Sequence, residues 1–256
     1  MIIQPKEYQE IDFDSPETTL QAVEIMRNKK CLNDVYSEIY HHMMSLNKKF
    51  LDDGDKILEL GSGGGFLKDL YPDIITSDVK EVENVDHIID AQNIPFDNNS
   101  LNSIFAVHVL HHIPDVTKFF HEADRVLISG GGLVMVEPYW SPLAKYLYKN
   151  IHPEPFDEYA SVWQLEKSGP MSGSNQALSY LLLKRDKEKF QKLFPQFKLV
   201  YHKPFGFIRY IATGGIWLDQ KLPNFAFPAL KAFEYIISPI MTLVGLHHYF
   251  VLKKIK

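Results

Sequence analysis

The segment Ile57-Leu58-Glu59-Leu60-Gly61-Ser62-Gly63-Gly64-Gly65-Phe66 carries the clearest chemical content in the chain. Its glycines permit positive φ and let a ligand approach the backbone closely. The apolar residues before them read as a strand, so the turn falls at a strand's C-terminal end, where ligands bind in open α/β sheets. A triphosphate loop needs Gly-Lys-Ser/Thr, whereas Gly65 is followed here by Phe66 and Leu67. A dinucleotide loop needs G-x-G-x-x-G, and counting from Gly61 its last glycine would fall on Phe66. Both are excluded, and the pattern that remains is Glu-x-Gly-x-Gly-x-Gly. A second cluster is His108, His111 and His112. That spacing chelates a metal only on a helix. The segment follows a strand and precedes Pro114, so no metal is expected there. The chain has a single cysteine, Cys31, which excludes an intramolecular disulfide and a Cys-rich zinc site.

These groups need a scaffold, and the hydrophobic pattern supplies one. Short apolar runs at 56–60, 74–77, 87–89, 103–109 and 133–136 read as strands, the second closed by Asp78 and the third by Asp90. Between them lie a short helix at 66–71 and a helix from about residue 115. The latter presents Val116, Phe119, Phe120, Ala123, Val126 and Leu127 on one face. Gly130-Gly131-Gly132 reads as its stop. Leu32, Val35, Ile39, Met43, Leu46 and Phe50 make a helical face in the N-terminal extension. Beyond Pro138 the pattern predicts a short helix near 143–149, a helix at 176–194 with a charged face, and strands at 198–202 and 249–254. A long insertion holding an apolar helix near 225–246 separates those last strands. The class is α/β: a doubly wound, seven-stranded, mostly parallel sheet with right-handed crossovers.

Length and composition agree. The chain has 256 residues, 45% hydrophobic and 23% charged, which fits one domain with an elaborated cap. A net charge of −5 and a pI near 6.1 argue against a nucleic-acid partner. The first residues show no secretory signal, and no uninterrupted apolar run reaches the ~20 residues of a membrane span. A cytoplasmic setting is the expectation.

With these residues in place, the sequence resembles the class I S-adenosylmethionine-dependent methyltransferases, most of all the methyltransferase type 11 group. The resemblance covers about 56–138. It rests on an ordered series: ILELGSGGG, the acid Asp78, Asp90-Ala91-Gln92 followed by Ile94-Pro95-Phe96, VHVLHHIPD, and EADRVLISGGGLVMVEP. It implies a Rossmann-like methyltransferase fold with S-adenosylmethionine as cofactor. With the pattern along the rest of the chain, the reading is a single domain over 1–256: a helical extension (1–52), a cofactor-binding core (53–138) and a substrate-side half (139–256) with a cap at about 205–247. Gly61, Ser62 and Gly63 would line the methionine and ribose. Glu59 would anchor the loop and the methionyl amino group. Asp78 would accept hydrogen bonds from the ribose diol. Asp90 and the Ala91 backbone would read the adenine edge, and His108 would face the methionine. Only eleven residues separate Asp78 from Asp90, too few for the full helix usual there.

Methyl transfer from a sulfonium is an in-line displacement that mainly needs alignment, with a base only for a protonated acceptor. His111 and Tyr139 are the candidates for catalysis or acceptor orientation. Glu137 and Trp140 are expected to face the same cleft, with His152, Asp157 and Trp163 placed to close over it. The partner expected is a small-molecule acceptor. Phe205, Phe207, Tyr210, Ile211, Trp217, Phe225, Phe227, Phe233, Tyr235, Ile236 and Ile237 make the cap apolar. They could line a pocket for a hydrophobic or lipid-linked acceptor, pack as core, or rest 225–246 on a membrane with Lys253, Lys254 and Lys256 near anionic head groups. A non-catalytic binding protein and a protein methyltransferase stay open as alternatives, and the oligomeric state is not legible.

Overall fold

A computed structural model describes residues 11–165, 169–206 and 208–255. The residues before 11, Phe207 and Lys256, which entered the readings above, lie outside the described residues. Two helices open the described chain, α1 (Pro16–Asn28) and α2 (Lys30–Phe50). Ser15 caps α1, its side chain accepting from Thr18 N. The first units are β1 (Ile57–Leu60), α3 (Phe66–Leu70), β2 (Ile75–Asp78) and β3 (His87–Ile88). They are followed by β4 (Leu101–Val107), α4 (Val116–Val126) and β5 (Leu127–Pro138). The second half holds α5 (Pro142–Asn150), α6 (Leu178–Tyr180), α7 (Lys187–Leu193) and β6 (Phe197–Phe205). Then come α8 (Ile208–Thr213), α9 (Phe227–Ile236), α10 (Met241–Val244) and β7 (His247–Lys254). The seven strands form one sheet in the order β3-β2-β1-β4-β5-β7-β6. The strands from β3 to β5 are parallel, and β7 runs antiparallel to both β5 and β6.

Apolar side chains cover both faces of this sheet. On one face Phe119, Phe120, Val126, Leu181 and Phe194 pack on Leu58, Ile104 and Leu133. On the other Leu32, Ile39, Met43 and Leu67 pack on Ile57, Phe105 and Val134. Strand order places the C-terminal ends of β1, β2, β4 and β5 side by side, and the glycine turn lies there.

Several expectations change. The helix beginning at Val116 stops at Val126, and β5 runs straight through Gly130-Gly131-Gly132. A Cβ on Gly131 would lie 2.3 Å from Asn102 O, and one on Gly132 2.3 Å from Leu252 O. These glycines let β5 close up to its neighbours rather than ending a helix. The expected helix at 176–194 is broken into α6, a π-turn over Leu181–Arg185 and α7. The apolar helix at 225–246 is bent by 62° between Asn224–Ile236 and Ser238–Val244, and Pro239, inside the second segment, removes a backbone donor. No single helix among the described residues is long and apolar enough to cross a membrane. As the short spacing implies, the described link between β2 and β3 contains no helix.

The segment between β6 and β7 docks on the N-terminal helices. Arg209 pairs with Glu38 of α2 and Glu234 of α9, Lys231 pairs with Glu38, and Lys29 Nζ donates to the carbonyls of Gly215 and Leu218. Phe120 lies at the centre of the aromatic core, 4.9 Å from the Phe190 ring centroid and 5.2 Å from that of Phe194. Phe120→Ala is expected to destabilise the chain by ~3–5 kcal/mol in urea titrations, against under ~1 kcal/mol for an exposed control.

Candidate functional site

The glycine turn is fixed by β2. Ser62 N donates to Ser77 O at 2.8 Å, and Ser77 N donates back to Ser62 Oγ at 3.1 Å. Gly61 and Gly63 have φ of 65° and 60°, where a side chain is strained. A Cβ on Gly61 would also strike Val109 Cγ2 at 2.4 Å. Val23 and Thr19 of α1 lie over Gly63 from outside. Asp78, at the end of β2, is buried. Its Oδ2 accepts from Gly63 N and its Oδ1 from Lys80 N, each at 3.0 Å. Each oxygen keeps a lone pair, which suits a vicinal diol. Burial raises the Asp78 pKa against the pull of those N–H groups and Lys80.

Glu59 is enclosed below the turn, and burial pushes its carboxyl up to about 7 against hydrogen bonds from Ser62 and Tyr40. Its Oε2 has no hydrogen-bond partner among the described residues. A buried acceptor without a donor, beside a glycine cradle and an acceptor-only carboxylate, fits a ligand that brings an amine and a ribose. Asp90 is exposed, its carboxylate taken up by Gln92 N and Nε2 in a tight turn, and Ala91 packs on the core.

The turn after β4 is organised by Glu137. Its Oε1 accepts from Val109 N at 2.9 Å and Leu110 N at 2.8 Å, and its Oε2 lies 2.5 Å from His111 Nδ1. His111 Nε2 faces Glu154 Oε2 at 3.3 Å. Burial alone would lower the His111 pKa, but the two carboxylates push it up to about 10. His112 donates through Nδ1 to Gly173 O at 3.1 Å, and burial together with His111 brings it down to about 4. His108, at φ 58°, is half-buried and is also lowered to about 4, chiefly by burial. Its ring meets that of His247 edge-on, with centroids 4.8 Å apart.

Thus Glu59, Gly61, Ser62, Gly63 and Asp78 come together on one side, and His108 and His111 on the other. Tyr139 sits apart from His111. Its ring packs beside Trp140, His202 and His248 in an aromatic wall. Trp163 is no lid, being a core residue whose Nε1 donates to Asp186 Oδ2 at 2.9 Å. Sequence reasoning missed Glu154 and His247. The ring nitrogens of His247 are buried without a partner among the described residues. Glu154 lies two residues past His152, in a loop without periodicity, and no local pattern marks it.

A family model described as a methyltransferase domain matches residues 58–135. Residues 58–135 are thus a methyltransferase domain, a kind of domain whose methyl donor is S-adenosylmethionine. Among solved structures, a Haloferax volcanii protein in complex with the Trm112 methyltransferase activator is 13% identical, with a TM-score of 0.50 and coverage of 92% of this chain and 96% of that one. This likeness supports the fold. A Thermotoga maritima SAM-dependent methyltransferase is 14% identical, with a TM-score of 0.47 over 90% of this chain and 99% of that chain. A Streptomyces coelicolor geranyl diphosphate C-methyltransferase with Mg2+, geranyl diphosphate and S-adenosyl-L-homocysteine is 12% identical, with a TM-score of 0.45 over 91% and 82%. No curated protein matches the chain.

The Glu59 carboxyl holds a proton in the fold that the unfolded chain releases between pH 4.5 and about 7. Its contribution to stability is therefore full below pH 4.5 and is lost as pH rises through 7. Relative to Glu59→Gln, the wild type is expected to lose on the order of 3 kcal/mol across that window in paired urea titrations. Parallel profiles would contradict this.

Proposed function

We propose that the chain methylates a small, hydrophobic or lipid-linked acceptor. In this reading Glu59, Gly61, Ser62, Gly63, Asp78, Asp90, Ala91 and His108 hold the donor, and His111 and Tyr139 face the acceptor. When bound, S-adenosylmethionine supplies a methyl group already activated on a sulfonium. With the donor held there, the residues of the chain would align the acceptor behind that methyl group, and a base would be needed only for an acceptor that keeps its proton. Asp78 holds the ribose, the unpartnered Glu59 Oε2 faces the amino group, and His111 is kept in one orientation by Glu137. Tyr139 contributes a wall of the acceptor side, and 53–138 acts as the donor half with 139–256 as the acceptor half.

The observation that carries the donor assignment is the buried Asp78 carboxylate locked to Gly63 N at 3.0 Å. Asp78→Ala is expected to weaken S-adenosylhomocysteine by ~1–3 kcal/mol in calorimetric titration. Unchanged affinity would remove Asp78 from the site.

The cap supports the hydrophobic acceptor. Phe225, Tyr235 and Ile236 are 85%, 82% and 72% exposed, with Phe233, Ile240 and Leu243 beside them in sequence and also exposed. An outward apolar surface of this kind marks an interaction site. It suits a lipid surface from which such an acceptor is drawn. Lys253 and Lys254 lie away from this surface. β7 begins near the site and ends at the other edge, where Lys253 pairs with Asp52 and Lys254 donates to Leu127 O. Attachment would therefore be apolar rather than electrostatic. In flotation with neutral phosphatidylcholine vesicles the wild type is expected to co-migrate and Phe225→Ser/Ile236→Ser to stay behind. Absence of the wild type from the lipid fraction would dispose of the membrane contact.

A further inference from the structure

The turn after β4 and the loop after α5 bring three unlike ligands together. One ligand atom from each of His111, His112 and Glu154 lies within 4.8 Å of the other two. We propose that they form a binding site for one divalent transition-metal ion of the Zn2+ type.

Tautomer control points the same way at both rings. His111 Nδ1 is 2.5 Å from Glu137 Oε2, and His112 Nδ1 is 3.1 Å from Gly173 O. Both acceptors can only receive a proton, so each Nδ1 carries hydrogen and Nε2 is the nitrogen left for an ion, which on His111 takes the place of the proton shared with Glu154. A carboxylate or carbonyl behind a histidine is the usual support of a metal ligand. The distances fit as well. Zinc bonds of about 2.0–2.1 Å in a tetrahedron set neighbouring ligand atoms about 3.3–3.4 Å apart. Here His111 Nε2 to Glu154 Oε2 is 3.3 Å, and His112 Nε2 to Glu154 Oε1 is 3.8 Å.

Charge balance favours an ion. Glu137 is fully buried and Glu154 largely covered, and their described partners are backbone N–H groups, histidines and the Gln176 amide. Two carboxylates with two neutral imidazoles carry two uncompensated negative charges in a low-dielectric setting, a costly arrangement. A divalent cation cancels them. Without it, one proton on His111 cancels half, and His112 Nε2 stays beyond hydrogen-bond reach of Glu154. The sequence argued against chelation because it considered His108, His111 and His112 on a helix. The structure replaces His108 with a carboxylate from a distant loop, and its short turn needs no helix.

Two imidazoles and one carboxylate select a borderline ion such as Zn2+ over Mg2+ or Ca2+. Three protein ligands leave a coordination position open. If the acceptor binds as proposed above, that position orients an acceptor oxygen; ion binding itself does not depend on that reading. The test uses the full chain, stripped with chelator and titrated with Zn2+, with metal content measured after dialysis. One equivalent is expected. His112→Ala and Glu154→Gln should abolish it, and Glu137→Gln should weaken it by about 10–100-fold. Co2+ should give visible ligand-field bands that the same variants lose. S-adenosylhomocysteine titration of each variant reports whether it is folded. No saturable uptake by the wild type, or uptake that survives both ligand substitutions in folded protein, overturns the site. Neither result bears on Asp78, so the donor assignment is tested separately.

Discussion

Everything on the reactive side of the cleft depends on one buried carboxylate. Glu137 ends β5 with no exposed surface, yet it receives the N–H groups of Val109 and Leu110 and the Nδ1 of His111. A carboxylate at such a depth is tolerated only when it is fully hydrogen-bonded. Satisfying it dictates the shape of the turn after β4. The chain must fold back so that two successive N–H groups and one ring point at the same acid. His108 then takes a left-handed backbone, and His111 presents its other nitrogen to Glu154. Strand order supplies the rest, because β4 and β5 are neighbours and their ends meet.

The glycine turn has a parallel logic with a different acid. Asp78 closes β2 and grips Gly63, while Ser62 and Ser77 lace the turn to the same strand. The N-terminal extension completes the enclosure. Val23 and Thr19 of α1 lie over the glycines, and Arg27 reaches Gly64 O while pairing with Asp69. Further out, Asp14 accepts from Met171 N and Ser172 N, and Lys80 reaches Phe13 O. The extension therefore bridges the glycine turn and the loop at Met171–Ser172. The cap is tied to the same helices through Arg209, Glu38 and Lys29, so both coverings share one support.

Much of this was legible in the residues. Strand periodicity, the glycine turn and the acid at the end of β2 are local signals, and the positions of the first five strands along the chain follow from them. The family resemblance came from motifs within the same stretch. What sequence could not supply was non-local. Gly130-Gly131-Gly132 resembles a helix stop until the carbonyls of Asn102 and Leu252 are seen against it. Glu154 sits in a loop with no period, and its meeting with His111 depends on how that loop lies against the turn after β4. His247 reads as an ordinary strand residue, and only the sheet shows it beside His108. The Phe225–Leu246 stretch was recognised as apolar, but whether it faced inward or outward depended on which side of α9 met α2.

The central claim is that the glycine turn and Asp78 hold the nucleoside while the Glu137–His111 pair faces its sulfur from across the cleft. A crystal structure of the chain soaked with S-adenosylhomocysteine tests this most directly. The account predicts both ribose hydroxyls on Asp78, the amino group near Glu59, and the sulfur directed toward the His108–His111 turn. A nucleoside bound elsewhere, or one whose sulfur points away from that turn, would contradict it.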